Sequence, residues 1–338
     1  MSTLPATMRA AVLHGIGDLR IEDRARPAAG ESEVLLQVAV VGVCGSDLHF
    51  YTDGRSGSAV VAGPTVLGHE FSGRVIAVGA GVPTSRIGER VAVEPGTPCG
   101  LCQPCTVDAY NHCERIRFVG AATIDGAMQE YLAVPARSAY RVPDHVSDAA
   151  AAMIEPFSVA VHAVGRAPTG RAEQVLVSGA GPIGHLVAQL AHRRGAASVW
   201  LVDPNGDRLA RARPPIRTAT PEEWAATGRR VDVAFECSGS REGSSTALAS
   251  LRYEGSLVIV GVGPRTLELP MDAIQEGELT ITGSHRYRHT WPEAIQLVAR
   301  AEIDLDALIT HTFPLEEAAA ALNVTRTDPA ALKAVLRL

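Results

Sequence analysis

Lysine is almost absent from this chain of 338 residues: of its 31 lysine and arginine residues, only Lys333 is a lysine. Schiff-base catalysis, phosphate-binding loops and the ion pair of protein kinases each require a lysine in a particular setting. Lys333 stands in the sequence Ala-Leu-Lys-Ala-Val-Leu, which fits none of these settings. The scarcity of lysine therefore excludes these three kinds of chemistry.

Long uncharged hydrophobic runs are also missing. The longest candidate, residues 149–164, is interrupted by Glu155, Pro156 and His162, whereas a membrane-spanning helix needs about 18 or more consecutive apolar residues. The N-terminal sequence lacks the basic segment and apolar core of a secretory signal. We therefore expect a cytoplasmic protein with no membrane partner.

A strong charge of one sign is the third feature that the sequence lacks. The formal net charge is -6 and 20 % of the residues are charged, so no basic surface for nucleic acid is expected. The length of 338 residues and a hydrophobic content of 46 % predict two domains with substantial cores.

The pattern of apolar residues changes along the chain. Up to about residue 145, short apolar runs such as 34–43 and 71–78 alternate with glycine and proline and predict strands. Strand-like runs at 174–178 and 231–236 then alternate with helical stretches, which predicts a doubly wound α/β domain. Two helical stretches and an apolar strand near 332–336 follow, and this last segment could return to the first domain.

A glycine-rich turn follows the predicted strand at 174–178. Its residues are Gly179, Ala180, Gly181, Pro182, Ile183 and Gly184, and they open a helical stretch. In this strand, turn and helix arrangement, backbone amides and the helix N-terminus bind the pyrophosphate of a dinucleotide. The motif predicts a dinucleotide cofactor site.

The next predicted strand ends at Asp203, 19 residues past Gly184. An acid at this position binds the ribose hydroxyls of NAD and would repel the 2′-phosphate of NADP. We therefore expect NAD, although Arg208, Arg211 and Arg213 lie nearby and could favour NADP. Asp203 could also cap a helix, since Asp-Pro-Asn-Gly-Asp suits a strand-to-helix turn.

Four of the six cysteines fall within 15 residues, namely Cys99, Cys102, Cys105 and Cys113. In a reducing compartment this clustering indicates a metal rather than disulfides. Four thiolates that close a tetrahedron predict a structural zinc. An iron–sulfur cluster is the alternative with the same ligands, and a nucleic-acid zinc finger would need a basic surface.

A second candidate metal site combines Cys44, His69 and Glu70. A thiol, an imidazole and a carboxylate could bind one zinc ion and leave a fourth position for water or substrate, as a catalytic site requires. Taken alone, His69 would more often be a structural histidine and Cys44 a small buried residue.

Taken together, these motifs resemble the zinc-dependent medium-chain dehydrogenases, and within them sorbitol and other polyol dehydrogenases, with L-idonate and threonine dehydrogenases also similar. The resemblance runs nearly end to end. The matching segments are residues 42–49, 68–70, the four cysteines, residues 155–162, 179–184 and 286–292.

The resemblance implies a fold that combines a β-rich groES-like domain with an inserted α/β Rossmann domain. The implied boundaries are residues 1–157 for the catalytic domain, with a zinc lobe at about 95–115, residues 158–285 for the NAD-binding domain, and residues 286–338 for a segment that completes the first domain. Relatives are dimers or tetramers joined through the cofactor domain, so the resemblance also implies a homo-oligomer. The apolar stretches 257–262 and 279–282 are compatible with such a contact.

The resemblance further implies roles for individual residues. Cys44, His69 and Glu70 would be ligands of a catalytic zinc, and Glu155 would contact the metal-bound water or replace it. Asp47 would orient the imidazole of His69. Ser46 would accept the proton of the substrate hydroxyl and pass it through the cofactor ribose toward His49, since histidine changes charge between about pH 5 and 8.

Substrate and cofactor contacts are implied in the same way. Val260, Val262 and Arg286 join the glycine turn, Asp203 and Arg208 as cofactor contacts. Glu155, Arg286 and Tyr287 would contact the substrate, and so would Phe50, which replaces the tyrosine common in polyol dehydrogenases. Phe50 could instead be a packing residue.

The sequence thus predicts an enzyme that transfers hydride from a secondary alcohol of a polyol or sugar-like substrate to NAD, with a ketose-type product. Arg286 and Glu155 favour a substrate rich in hydroxyl groups, because buried polar groups without partners would penalise an apolar ligand. A sugar acid, an amino alcohol or a threonine-like 3-hydroxy acid is the alternative substrate. A non-catalytic NAD-binding protein is the alternative of a different class.

Overall fold

Two compact units make up the protein in the computed structural model, which describes residues 4–57, 59–121, 124–167, 174–263 and 266–338. Unit 1 contains residues 1–155 and 291–338, and unit 2 contains residues 156–290. The chain therefore enters unit 2 once, leaves it once, and ends in unit 1.

The described residues form twenty strands, which in chain order are β1 Thr7–Gly15, β2 Asp18–Ala25, β3 Glu33–Gly42, β4 Arg55–Ser56, β5 Ala59–Val60, β6 Thr65–Val66, β7 Glu70–Val78, β8 Arg90–Val93, β9 Gly96–Thr97, β10 Arg117–Phe118, β11 Tyr131–Pro135, β12 Ala139–Arg141, β13 Gln174–Ser178, β14 Ser198–Val202, β15 Arg217–Ala219, β16 Val231–Glu236, β17 Leu251–Ile259, β18 Thr280–Gly283, β19 Ile309–Pro314 and β20 Lys333–Arg337. The same part of the chain forms eleven α-helices, which are α1 Gly45–Asp53, α2 Gln103–Thr106, α3 Asp148–Ala152, α4 Ile154–Arg166, α5 Pro182–Arg193, α6 Gly206–Leu209, α7 Pro221–Ala226, α8 Arg241–Ala249, α9 Met271–Glu276, α10 Trp291–Ala299 and α11 Ala318–Thr327. Short 3₁₀ helices occupy Thr84–Arg86, Tyr110–His112, Ala136–Ser138, Asp306–Leu308 and Leu315–Glu317.

Unit 1 is built around a seven-stranded sheet with the order β12-β8-β7-β3-β20-β19, in which β11 also pairs with β3. The long strand β3 is antiparallel to β7 along one edge, and its other edge is shared by β11 and the C-terminal strand β20. Alternating apolar side chains of these strands, such as Leu36 and Phe71, are buried in one core. The last strand of the chain thus lies beside β3 in the first unit.

Unit 2 contains a six-stranded parallel sheet with the order β15-β14-β13-β16-β17-β18. The sequence order reverses between β13 and β16, which is the switch point at which doubly wound sheets bind ligands, outside the carboxyl ends of their strands. The buried residues Leu176, Trp224 and Leu257 belong to its core. The α/β prediction for this part of the chain is confirmed.

The structure differs from the sequence prediction in a few elements. The apolar pattern predicts a strand at 256–260, but β17 begins five residues earlier, at Leu251. Arg252, Tyr253 and Glu254 are exposed and break the apolar pattern, although their backbone continues the strand. β15 and β18 are the edges of this sheet among the described strands, and β17 is paired on both sides. Of the two apolar stretches expected at a subunit contact, only 279–282 therefore overlaps an edge strand. None of the described helices has the length and hydrophobicity needed to cross a membrane.

Candidate functional site

The end of β3 and the start of α1 place the first group of predicted site residues. Cys44 immediately precedes α1, and its N–H donates to Oδ2 of Asp47 at 3.0 Å. Oδ1 of Asp47 accepts from the Gly68 N–H at 3.3 Å and lies 3.5 Å from Nδ1 of His69. The fully buried carboxylate of Asp47 therefore joins the two segments that carry Cys44 and His69.

Gly68 makes the turn that directs His69 and Glu70 toward Cys44. Its φ of +94° lies in the left-handed region, and a Cβ there would stand 2.8 Å from Cγ1 of Val41, so glycine is required. Cys44, His69 and Glu70 each offer one ligand atom, and these atoms lie within 4.8 Å of one another. A thiol, an imidazole and a carboxylate at this spacing fit a zinc ion with one further coordination position.

Burial and neighbouring charges shift the pKa of His69 in opposite directions. Burial lowers the pKa of His69, but the carboxylate of Asp47 and the thiol of Cys44 raise that pKa, and the net result is well above the ordinary value. Because Nδ1 faces Asp47, Nε2 is the nitrogen available to a metal. The arrangement matches the expected orienting role of Asp47.

Glu155, the fourth predicted residue of the catalytic metal site, is the second residue of α4 and is buried. It is not part of the group formed by Cys44, His69 and Glu70 among the described residues. The role of Glu155, as a metal ligand or as a contact of the metal-bound water, stays a prediction.

Lys333 is the residue at this site that the sequence analysis missed. It lies in β20, is 4 % exposed, and forms an ion pair with Oε2 of Glu70, which is 2 % exposed. Burial lowers the pKa of Lys333, but Glu70 and Cys44 raise it, and the net pKa is above the usual value, so the ammonium group stays charged. The signal in the sequence was a lone lysine within an apolar strand, which motif searches do not register.

The other predicted residues of α1 have different environments. His49 is half exposed, and its Nδ1 lies 3.0 Å from Oδ2 of Asp53 one turn further along α1. Ser46 is partly buried in the first turn of the same helix. Phe50 is 3 % exposed and belongs to the core of unit 1, which favours packing over substrate contact for this residue.

The four cysteines between residues 99 and 113 also converge. Their sulfur atoms lie within 4.8 Å of one another, and Sγ of Cys102 is 3.4 Å from Sγ of Cys105 and 3.8 Å from Sγ of Cys113. A tetrahedral zinc ion with Zn–S bonds of about 2.3 Å requires sulfur separations of about 3.8 Å. All four thiols are free of disulfides, and the cluster fits a structural zinc.

Backbone amides point at these sulfur atoms. The N–H groups of Leu101 and Cys102 donate to Sγ of Cys99 at 3.5 and 3.4 Å, and these bonds lower the pKa of Cys99 to about 6. A thiolate is the form of cysteine that binds metal. The loop therefore stabilises the charged form of Cys99 at neutral pH.

Each of the three glycines in the turn after β13 has a different physical role. Gly179 has a φ of +104°, and a Cβ there would stand 2.6 Å from the backbone nitrogen of Ser238. A Cβ at Gly184 would collide with the carbonyl oxygen of Gly179, so this glycine allows α5 to pack closely. A Cβ at Gly181 would meet no atom of the described residues within 4 Å, and a pyrophosphate approaching the backbone would use this space.

Pro182 and Ile183 begin α5, and Gly181 is its N-cap, so the helix N-terminus faces the turn. Asp203 follows β14 and is buried, with Oδ2 accepting from the Ala180 N–H at 2.7 Å and Oδ1 from the Asn205 N–H at 2.8 Å. Asn205, not Asp203, is the N-cap of α6. Asp203 is thus fixed directly beside the glycine turn, where a cofactor ribose would lie.

The remaining predicted contacts are spread over unit 2. Arg208 lies in α6, and its carbonyl oxygen is 3.1 Å from Nε2 of the buried His185. The Val260 N–H donates to the carbonyl oxygen of Glu236 at 2.8 Å, while Val262 is 74 % exposed. Arg286 has a positive φ of 50°, and the neighbouring Tyr287 is buried.

Comparison with known proteins agrees with this geometry. Residues 30–144 match the alcohol dehydrogenase GroES-like domain, and residues 182–300 match the zinc-binding dehydrogenase domain. Sorbitol dehydrogenase of Gallus gallus is 40 % identical over 329 residues, which cover 94 % of this chain and 93 % of the relative. The predicted combination of a groES-like and a Rossmann domain is confirmed.

Solved structures show the same similarity. An alcohol dehydrogenase of Escherichia coli CFT073, complexed with NADH, has a TM-score of 0.90 and 31 % identity, with 99 % of this chain and 100 % of the other covered. L-idonate 5-dehydrogenase of Escherichia coli has a TM-score of 0.91 and 28 % identity, with 98 % of both chains covered. The chain belongs to the zinc-dependent medium-chain dehydrogenases.

Proposed function

We propose that the enzyme oxidises a secondary hydroxyl group of a polyol or sugar-like substrate, with NAD as hydride acceptor and a ketose-type product. The observation that carries this proposal is the convergence of Cys44, His69 and Glu70, with Asp47 holding the first two. Three protein ligands of mixed type are the pattern of a catalytic zinc, whereas four cysteines are that of a structural one. Relatives named for sorbitol and L-idonate support a substrate with several hydroxyl groups.

We assign the catalytic zinc to Cys44, His69 and Glu70, with Glu155 beyond them, and the structural zinc to the four cysteines. Zinc bound at the first site would act as a Lewis acid that polarises the substrate hydroxyl. The chain's own contribution there is to fix the donor atoms, through the Asp47 carboxylate and the Lys333 ion pair with Glu70. These contacts hold the site in position before substrate binds.

Proton removal is the second contribution of the chain. Oγ of Ser46, in the first turn of α1, would accept the hydroxyl proton while its own O–H proton leaves in the direction of His49, and His49 would release a proton to solvent. Nδ1 of His49 faces Asp53, so Nε2 is the atom that would exchange the proton. The half-exposed position of His49 suits the outer end of such a route.

Unit 2 would bind the cofactor through the glycine turn and Asp203. The space beside Gly181 would admit the pyrophosphate, and the carboxylate of Asp203 would bind the adenosine ribose. Arg208, Val260, Val262 and Arg286 would contribute further contacts, and Arg286 and Tyr287 would contact the substrate. Because Asp203 carries a negative charge, NAD is preferred over NADP.

The test is a set of initial rates of NADH formation with pentitols, hexitols, inositols, aldonic acids, threonine and aliphatic alcohols, each repeated with NADP. Polyols are expected to give the highest kcat/KM. A preference for aliphatic alcohols would contradict the proposal, and a preference for aldonic acids or threonine would select the alternative substrate class. NAD binding without turnover on any of these compounds would indicate a non-catalytic protein.

We also propose that the enzyme is a homo-oligomer, a dimer or tetramer, joined through the edge strand β18. Among the described strands, β18 pairs with β17 alone, and a free sheet edge is a common site of pairing between chains. Light scattering is expected to give a multiple of 35.5 kDa. A particle of one chain would exclude this assembly.

The cytoplasm is the compartment we propose, because zinc binding by four cysteines requires reduced thiols. The six free cysteines of the structure are compatible with this location. Cell fractionation followed by immunodetection tests it, with recovery in a membrane or secreted fraction as the opposing result.

A further inference from the structure

The only lysine of the chain lies in contact with a proposed zinc ligand. Lys333 is buried, and its Nζ pairs with Oε2 of the equally buried Glu70. Lysine is almost never fully buried unless it is paired. The other 30 basic residues counted with it are arginines. Lysine differs from arginine in having a compact ammonium group on a flexible stem, and this is the cation found in the narrow buried space beside Glu70.

Three neighbouring strands create this contact. In the sheet of unit 1, β3 lies between β20 and β7, and its residue Gly42 is paired with Val335 on one side and Glu70 on the other. A Cβ at Gly42 would collide with Oε2 of Glu70 and would stand 3.3 Å from Cε of Lys333. The missing side chain at Gly42 provides the space in which the ion pair forms.

We propose that Lys333 is a positioning residue for the catalytic zinc: it holds Oε2 of Glu70 so that the carboxylate presents its other oxygen to the metal. The inference rests on the proposed role of Glu70 as a zinc ligand. Charge balance supports it, since the thiolate of Cys44 and the carboxylate of Glu70 offset Zn²⁺, and Lys333 offsets the buried Asp47. Without Lys333, the buried site would carry a net negative charge and Glu70 would have no fixed orientation.

Zinc retention by the purified enzyme tests the proposal without reference to substrate. Lys333→Met removes the ammonium group but keeps the length of the side chain. Mutation of a residue that orients a metal ligand typically lowers metal affinity by about 10–100-fold. The variant is therefore expected to lose one of its two zinc ions to a competing chelator at a concentration about 10–100-fold lower than the unmodified enzyme requires. The four-cysteine site in the same molecule is expected to keep its zinc and to report that the fold is intact.

Two further variants separate positioning from general effects. Arg337→Met makes the same change at an exposed position of the same strand and is expected to behave like the unmodified enzyme. Lys333→Arg retains the charge and is expected to restore part of the zinc affinity. With Co²⁺ in place of zinc, the visible absorption bands are expected to shift in Lys333→Met but not in Arg337→Met.

The decisive comparison uses Glu70→Gln and the double variant Glu70→Gln/Lys333→Met. If Lys333 acts through Glu70, the second change adds no further loss of zinc, and this comparison holds even where Lys333→Met alone folds poorly. Normal retention of both zinc ions in Lys333→Met, or an independent loss in the double variant, would overturn the proposal and leave the proposed function intact. An unmodified enzyme that holds only the four-cysteine zinc would instead refute the assignment of Glu70 as a ligand, and with it both proposals.

Discussion

The orientation of the Asp203 side chain is fixed by the backbone around it. Both of its oxygens accept backbone N–H bonds, from Ala180 and Asn205, yet each oxygen has a second lone pair for a ligand. The backbone bonds fix the direction of the carboxylate. A cofactor ribose would therefore meet an acceptor that is already oriented.

Replacing Asp203 by Ala is expected to raise the KM for NAD and to reduce the preference for NAD over NADP. Hydrogen bonds to a charged group contribute about 1.5–3 kcal/mol, which corresponds to a loss of about 10–100-fold in kcat/KM with NAD. Initial rates with both cofactors measure the change, with Asp207→Ala, an exposed change in the following helix, as the control. An unaltered ratio of the two kcat/KM values would show that Asp203 does not select the cofactor.

His49 provides a second prediction at the scale of the residue. If it releases the substrate proton, His49→Gln is expected to slow oxidation mainly at low pH, because at high pH hydroxide in solvent can accept the proton directly. The pH profile of kcat between pH 6 and pH 10 is the measurement. His192→Gln, at an exposed position near the end of α5, is the matched control, and an identical profile for His49→Gln and the unmodified enzyme would remove His49 from the route.

At the scale of the element, the glycine turn and α5 act as one unit. Gly184 lets the helix pack against the turn, whereas a Cβ at Gly181 would have no atom of the described part of the chain within 4 Å. The absence of a side chain is therefore required by the fold at Gly184 and by the expected cofactor at Gly181. Sequence alone shows both only as members of the same motif.

Changing each glycine to alanine is expected to separate these two roles. Gly184→Ala should destabilise the fold by about 1–3 kcal/mol through overpacking and should weaken NAD binding as well. Gly181→Ala should weaken NAD binding with little change in stability. Thermal unfolding without cofactor and titration with NADH fluorescence measure the two effects, and a large loss of stability in Gly181→Ala would contradict this division.

Most elements were predictable because their periodicity is strong. The buried strands β13 and β16 have the predicted bounds, since their apolar runs end at a glycine turn and at a charged residue. The alanine-rich pattern predicts a helix over 315–323, but α11 begins at Ala318, because a 3₁₀ turn at Leu315–Glu317 precedes it. Local turn geometry of this kind has no clear signature in the pattern of apolar residues.

At the scale of the whole molecule, the proposed metal donors and the proposed cofactor residues belong to different units. Cys44, His69 and Glu70 lie in unit 1, and the glycine turn and Asp203 lie in unit 2. Each unit has its own core. Metal binding and NAD binding should therefore be separable.

Removal of the catalytic zinc by a chelator is expected to abolish turnover while NAD binding stays within about threefold of its original affinity, a difference of less than about 1 kcal/mol. Rates and NADH fluorescence, measured on the same sample before and after treatment, test this expectation. Turnover should return when zinc is added back. Joint loss of turnover and NAD binding would mean that the metal mainly supports the fold.

The sequence by itself determined the chemistry of this protein, because ligand types and spacings such as the four cysteines and the glycine turn are local in the chain. It also predicted the strand, glycine turn and helix at the cofactor site, because these three elements follow one another in the chain. Only the tertiary structure decided which distant residues meet. Lys333 reaches Glu70 because β20 and β7 flank β3 in one sheet, and pairing between strands more than 250 residues apart depends on the fold as a whole, which no local pattern encodes.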